Sequence, residues 1–395
     1  MKKENDSKYM NRRQFIWKTS LSSIALPSLL ASPMAISRET KSAIVPLWRN
    51  KQSDMSYRML GRTGYMVSEV VCGGDPVSPT SYAQVELAME MGLNYFDTAP
   101  AYGNGNSEKG YGEILKSSSK REKVFVNTKI SGFASIRNRM YKEIFDSLPS
   151  GKQESIIKMA WQMRSDRGVD KPGYFYIYWP GQERSMDPSY LSNAMMSDYG
   201  HKVDGSKKFK EFIFNSIEGS LERTKTDYFD LAMCPHGANC PEEVKIPEIY
   251  EAFDELKKQG KVRFLGVSSH NDPAGVLNAA VDTGKYDVAM IAYNFLNDGF
   301  LDGAIRKAHE ANVGVIGMKV AMSVATQHEE LKPLPEWRAE KLNKIVPGDM
   351  KAPVKAYLWA LQNPRISAVV SNLWDENYVK ENLSVVGKKI ELQRG

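Results

Sequence analysis

The chain has 395 residues, 42% of them hydrophobic and 25% charged, with a formal net charge of +6. That composition is ample for one large core or two small ones. Most of the positive excess falls in residues 1–37, where Lys2, Lys3, Lys8, Arg12, Arg13 and Lys18 face only Glu4 and Asp6. The remainder is close to neutral, so no nucleic-acid partner and no anionic membrane surface is expected.

In chain order, the first feature is an address. Asn11-Arg-Arg-Gln-Phe-Ile-Trp-Lys18 precedes a modest apolar stretch from Leu21 to Ala31, with small residues around Ala35 and Ser37. A basic region, a short apolar run and a small-residue exit describe a signal peptide. The paired arginines followed by Phe15 and Lys18 look like a twin-arginine (Tat) export signal. Residues 1–37 are therefore expected to engage the Tat export machinery, with a periplasmic or otherwise exported destination. The apolar stretch is too short and too rich in Ser and Pro to span a bilayer, so no stable membrane anchor is expected after processing. Residues 38–54 read as a mobile leader, and residues 55–395 as the folded unit.

Tyr57 to Val67 reads as a small hairpin turning at Gly61 to Gly64. Eight strand candidates follow: Glu69–Cys72, Tyr95–Asp97, Val124–Lys129, Leu231–Cys234, Phe264–Ser268, Val288–Tyr293, Val313–Met318 and Ala368–Val370. Helical patterns alternate with them at 81–91, 107–116, 208–223, 246–259, 273–283, 301–311, 350–362 and 375–386. Eight of each is the count for an α/β closed (β/α)8 TIM barrel. An open doubly wound sheet is the alternative, but Cys72-Gly-Gly-Asp-Pro76 lacks the Gly-x-Gly-x-x-Gly spacing after the first strand. Residues 133–207 break the rhythm as a long insertion after the third strand. Rich in Tyr, Trp and Met, it reads as an excursion with its own small core, emerging at the face where barrel enzymes bind substrate. Cys72, Cys234 and Cys240 form no disulfide framework. Cys234, His236 and Cys240 are too few for a metal site, so no metal is expected.

The strand ends carry the chemistry. Asp97 closes the second strand, Tyr102 lies in the loop beyond, Lys129 closes the third and His236 follows the fourth. In a barrel these ends converge on one mouth. A free Tyr titrates near pH ~10, and an adjacent ammonium is expected to lower that value. Asp97 would hold the ammonium in place, and His236 would orient a carbonyl oxygen. Such a site polarises a carbonyl while another group delivers hydride.

These segments together resemble the aldo/keto reductase family over residues 56–387. The likeness is carried by Tyr57-Arg-Met-Leu-Gly-Arg-Thr-Gly64, Gly92-Leu-Asn-Tyr-Phe-Asp-Thr-Ala-Pro-Ala-Tyr-Gly103, Asn127-Thr-Lys129, Ser220-Leu-Glu-Arg-Thr-Lys-Thr-Asp-Tyr-Phe-Asp-Leu231 and Gly260-Lys-Val-Arg-Phe-Leu-Gly-Val-Ser268. The resemblance implies a catalytic tetrad at Asp97, Tyr102, Lys129 and His236, with Tyr102 the general acid. It also implies a nicotinamide cofactor across the mouth, NADP(H) or NAD(H), held by residues drawn from Gly73, Gly74, Ser268, Ser269, Met318, Lys319, Ser371, Asn372, Glu381 and Asn382. The family's glutamine at the sixth strand corresponds to Met290, its stacking tyrosine to Met318, and its arginine for a 2′-phosphate to Tyr378. The substrate is then a small carbonyl or alcohol. A noncatalytic cofactor-binding or sensing protein on the same barrel is the alternative. A hydrolase or isomerase is disfavoured because no second carboxylate partners Asp97 in the motif.

Overall fold

The computed structural model describes residues 44–203, 205–326 and 333–393. The signal-peptide expectation, on residues 1–37, lies outside them.

Among the described residues, eleven strands are formed. Three short ones, β1 (Leu47–Trp48), β2 (Tyr57–Met59) and β3 (Tyr65–Ser68), make a small sheet with β3 central. The other eight close into a parallel barrel: β4 (Val70–Gly73), β5 (Tyr95–Asp97), β6 (Phe125–Lys129), β7 (Phe229–Met233), β8 (Val262–Ser269), β9 (Val288–Ala292), β10 (Gly314–Met318) and β11 (Ala368–Asn372). Every barrel neighbour pairs in parallel, with β10 and β11 completing the ring. These strands are short apolar runs buried on both faces, the pattern that a sheet sheathed in helices requires. Helices over 83–90, 106–115, 206–224, 247–258, 273–283, 298–310, 352–361 and 376–383 return the chain between them or follow the last. The (β/α)8 expectation is met.

Two apolar layers follow from strand alternation. Val71, Tyr95, Phe125, Leu231, Met233, Val288, Met290, Ile316 and Met318 fill the barrel interior. The opposite faces pack against the surrounding helices. The hairpin supplies Leu60, Tyr65 and Val67 to the interior cluster and so plugs the N-terminal end. Its turn is tight against the barrel: at Gly61, φ +50°, a Cβ would stand 2.2 Å from the Gly314 amide nitrogen. No other residue fits there.

One expectation is corrected. The leader assigned to residues 38–54 is, from Ile44 onward, part of the fold. Leu47 and Trp48 pair with Tyr65 and Met66. Arg49 Nη1 donates to the Val124 carbonyl at 2.6 Å and to the fully buried Asp230 at 3.1 Å. Arg121 supplies Asp230 with a second buried guanidinium at 2.9 Å. A buried carboxylate needs such partners, and the leader supplies one from 181 residues away.

The insertion folds as expected of a segment with its own core. Helices Phe133–Asp146, Ser150–Arg167 and Met186–Tyr199 bury Tyr141, Phe145, Ile156, Tyr174, Met186, Tyr190 and Met195 against one another. Among the described residues, no helix is long and apolar enough to cross a membrane.

Candidate active site

The register of the first barrel strands builds the site. Asp97 on β5 is the Cα partner of Asn127 on β6, so their side chains meet and Asn127 Nδ2 donates to Asp97 Oδ1. Strand alternation then returns Lys129 to the same face, two residues on. Lys129 Nζ donates to Asp97 Oδ1 at 2.5 Å, to the Thr98 carbonyl at 3.0 Å and to the Tyr102 hydroxyl at 3.1 Å. All three ammonium hydrogens are spoken for.

Tyr102 reaches Lys129 because its loop doubles back. Gly103, Asn104 and Gly105 have φ values of 55°, 52° and 84°, a left-handed run that turns the chain into helix 106–115. At Gly105 a Cβ would lie 2.9 Å from Arg223 Cδ, so the close approach as well as the φ demands glycine. The turn is pinned from below. Glu108, fully buried, accepts from Thr128 Oγ1 at 2.7 Å and from Arg223 Nε at 2.6 Å. The Thr98 and Ser107 hydroxyls lie 2.7 Å apart.

His236 comes in from the far side, its ring centroid 6.0 Å from that of Tyr102 and the planes at 82°. Burial, with the charges of Lys129 and Lys319, pushes the imidazole down to about 3, so it is neutral at physiological pH. A neutral imidazole carries one N–H, and its other nitrogen must find a donor. Nδ1 lies 2.8 Å from Ser131 Oγ. With the hydroxyl donating to Nδ1, the hydrogen resides on Nε2, free for an incoming carbonyl oxygen. Ser131 was not among the expected site residues. Its position was readable, since Ser131 lies two residues beyond Lys129 and continues the same face. It is a positioning residue. Ser131→Ala should lower kcat about tenfold by freeing the tautomer, with Ser131→Thr restoring it. In both the wild type and Ser131→Ala, the pH–rate profile should lack an ionisation near pH ~6.5, the ordinary histidine value. A limb there would show His236 titrating.

The phenol departs from expectation. Burial, then the Asp97 and Asp75 charges, holds Tyr102 well above its usual range. The lowering expected of Lys129 does not win, because burial is the larger cause and the Asp97 and Asp75 charges add to it. Burial likewise pushes the Asp97 carboxyl up and the Lys129 ammonium down, each opposed by the other's charge. The phenol is therefore protonated at neutral pH.

The expected cofactor residues divide into two groups. Around the mouth, the Ser268 hydroxyl accepts from the Gly237 amide at 2.9 Å, and Lys319 follows β10 with its ammonium 5.5 Å from the Trp179 ring centroid. Asn372 ends β11 beside Gly73, where a Cβ would stand 2.4 Å from its Oδ1. Gly74 is packed as closely, against Ser107 and the Asp97 carbonyl, so both glycines have a packing reason to be there. The others hold the fold to itself. Ser269 Oγ donates to the Ala238 carbonyl at 2.7 Å, Asn382 Nδ2 donates to Ser371 Oγ at 2.8 Å, and Glu381 pairs with Lys351 at 2.6 Å. Met318 is 6% exposed and belongs to the barrel interior, as does Met290. Hydroxyl and amide groups around the mouth nonetheless suit an anionic dinucleotide, and Ser268 and Asn372 are such groups.

The insertion crosses the mouth. Tyr174 donates to Asp272 Oδ1 at the end of β8, Tyr178 OH accepts from Asn294 Nδ2 at 3.0 Å after β9, and Gln182 Nε2 donates to Asn271 Oδ1 at 2.8 Å. Trp179, within this strap, meets His270 edge-on at 4.8 Å. A separate cavity of about 650 Å³ lies among the insertion helices, bordered by Phe145, Ile157, Trp161 and Leu191, and no tetrad residue lines it. Cys240 accepts from Asn193 at the insertion's base, and Cys234 is buried behind the mouth.

A closed parallel barrel with a phenol, an ammonium and an imidazole at its C-terminal mouth defines a proton-transfer site for carbonyl chemistry. The profile described as "Aldo/keto reductase family" matches residues 73–197 and 187–393. The chain belongs to the aldo/keto reductase family and is an oxidoreductase. It is 25% identical to L-galactose dehydrogenase of Arabidopsis thaliana over 353 residues, covering 83% of this chain and 87% of that protein. It is 27% identical to aldo-keto reductase AMT2 of Alternaria alternata, where it spans 55% of this chain and only 51% of that one. Similar folds include the holo form of aldo-keto reductase AKR11C1 from Bacillus halodurans, with TM-score 0.55, 22% identity, and 85% and 92% of the two chains covered. An aldo-keto reductase from Klebsiella pneumoniae in complex with NADPH aligns with TM-score 0.54 and 14% identity over 85% and 91%.

Proposed function

We propose that this protein is an exported carbonyl reductase or alcohol dehydrogenase in which Tyr102 is the general acid and base. The observation that carries this reading is Lys129, which touches Asp97 at 2.5 Å and Tyr102 at 3.1 Å in one bonded chain. The nicotinamide supplies or accepts the hydride when bound. In reduction, the His236 Nε2–H and the Tyr102 hydroxyl both address the carbonyl oxygen. Tyr102 gives it a proton as negative charge develops there, and the Lys129 ammonium stabilises the phenolate left behind. Asp97 keeps that ammonium charged and fixed. In oxidation the same proton returns. Ser268 and Asn372 stand at the mouth as candidate holders of the dinucleotide. NADP(H) and NAD(H) are both open to it, since Tyr378 stands where a guanidinium would meet a 2′-phosphate. The substrate class is an aldehyde, a ketone or a sugar; a sugar oxidation is what the name of the Arabidopsis relative describes.

Export rests on Arg12 and Arg13 ahead of the short apolar run. One experiment tests address and activity together. The full chain expressed in a Tat-competent host should be recovered from the periplasm, shortened by about the 37 residues the signal motif marks off. That material should oxidise NADPH or NADH when offered a panel of aldehydes, ketones and sugars. Unprocessed cytoplasmic protein would overturn the address. Tight nucleotide binding without turnover of any panel member would favour the noncatalytic alternative.

A further inference from the structure

We propose that Lys319, with Trp179 and His270, forms a subsite for an anionic group on the substrate, a carboxylate carried by the same molecule as the reacting carbonyl. This deepens the oxidoreductase reading above and rests on it.

Lys319 is held where a lysine does not go by default. Its φ is +61°, in the left-handed region that disfavours a residue carrying a side chain. Such strain persists only where the surroundings enforce it, and it concentrates at functional sites. The residue is half-buried. Unlike Lys129, it makes no ion pair among the described residues; its near neighbour is the Trp179 ring, 5.5 Å from Nζ to centroid. Burial and the Lys129 charge both push it down, with Asp75 and Asp97 opposing from further away. A cation so placed gains most from an anion that arrives with a ligand.

Its surroundings say which side of the mouth it serves. His236 and His270 both feel its charge, which joins burial in keeping each of them neutral. Geometry agrees: Trp179 links Lys319 to His270, whose Nδ1 lies 3.9 Å from where a Cβ on Gly237, the neighbour of His236, would stand. The groups expected at the adenosine end, Ser371, Asn382 and Glu381, are elsewhere and already bonded to protein. Trp179 is brought in by the insertion and fixed between Tyr178 and Gln182, whose bonds reach the β8 and β9 loops. With the His270 ring perpendicular to it, 4.8 Å away between centroids, it offers a flat apolar wall beside the cation. A planar or extended oxo acid fits these three groups: carbonyl toward Tyr102 and His236, body along Trp179, carboxylate on Lys319. The dinucleotide pyrophosphate is the other source of an anion, and the test separates the two.

Compare 4-carboxybenzaldehyde with its methyl ester as substrates, in the wild type, Lys319→Met and Lys319→Arg. The wild type should favour the acid. Lys319→Met should lower the acid-to-ester ratio of kcat/KM by about 10- to 100-fold, the scale of one charge-assisted hydrogen bond, and Lys319→Arg should keep most of it. The NADPH dissociation constant, read from quenching of protein fluorescence, should not follow that ratio. A ratio that stays constant while NADPH binding weakens by the same factor assigns Lys319 to the cofactor and overturns the proposal. A wild type with no preference for the acid overturns it too. If neither aldehyde is turned over, the carbonyl panel above decides the oxidoreductase reading, and the subsite is judged separately by calorimetric titration of benzoate into NADP-loaded protein. Binding that is lost in Lys319→Met supports it, and absent binding in the wild type sinks it.

Discussion

Replacing Tyr102 with phenylalanine should cut turnover by about 10²-fold or more while leaving NADPH affinity nearly unchanged. The ring and its packing near His236 survive that change; only the hydroxyl that meets Lys129 Nζ goes. Because the phenol is held protonated by burial and by Asp97, its proton is present at neutral pH, and no other described group near the carbonyl position replaces it. His236 is neutral, and its N–H is a poor acid in that state. The loss should therefore appear in kcat for every carbonyl offered. Wild-type rates in Tyr102→Phe, measured at saturating cofactor, would remove Tyr102 from the acid's role and point to His236 or water.

Lys129→Met should damage both chemistry and folding. Asp97 is 2% exposed and Lys129 1%. Removing one partner strands a buried carboxylate, a class of change that costs about 3–5 kcal/mol. Turnover should fall by about 10²- to 10⁴-fold as the phenolate loses its cation. Adding Asp97→Asn to Lys129→Met separates the two effects, because it deletes the stranded charge. Urea denaturation should then show much of the stability regained, while activity stays lost. A double variant no more stable than Lys129→Met would mean that the pair's burial is not what the single change disturbs.

The barrel was legible because its signals are local. Tyr95–Asp97 is a run of apolar residues closed by a carboxylate, and the strand has those bounds. Helix 273–283 begins at a proline after a capping aspartate and ends before a left-handed glycine, all visible in the chain. Asp97, Tyr102, Lys129 and His236 were legible together because strand ends of a barrel must converge. What escaped was decided by partners far away in sequence. Nothing near Arg49 announces Asp230, so a docked segment read as a leader. Nothing near Ser371 says that its hydroxyl is taken by Asn382. The Tyr102 proton affinity was misjudged for the same reason: the burial that raises it is built by residues distant in the chain, while only the neighbouring charges were readable. Helix 133–146 lacked a clear start, since its cap is Gly132 in a left-handed turn with no side-chain bond to the helix.

Barrel enzymes are usually diversified one loop at a time, because each loop is rooted in its own strand and answers to no other. Here the segment that leaves after β6 is bonded to the loops after β8 and β9, through Tyr174 to Asp272, Gln182 to Asn271 and Tyr178 to Asn294, and its Trp179 lies against the residue following β10. Four positions around the rim are thus tied into one inherited unit. A graft that exchanges any one of these loops breaks buried hydrogen bonds made by the others. Changing this enzyme's selectivity, by evolution or in the laboratory, means moving them together.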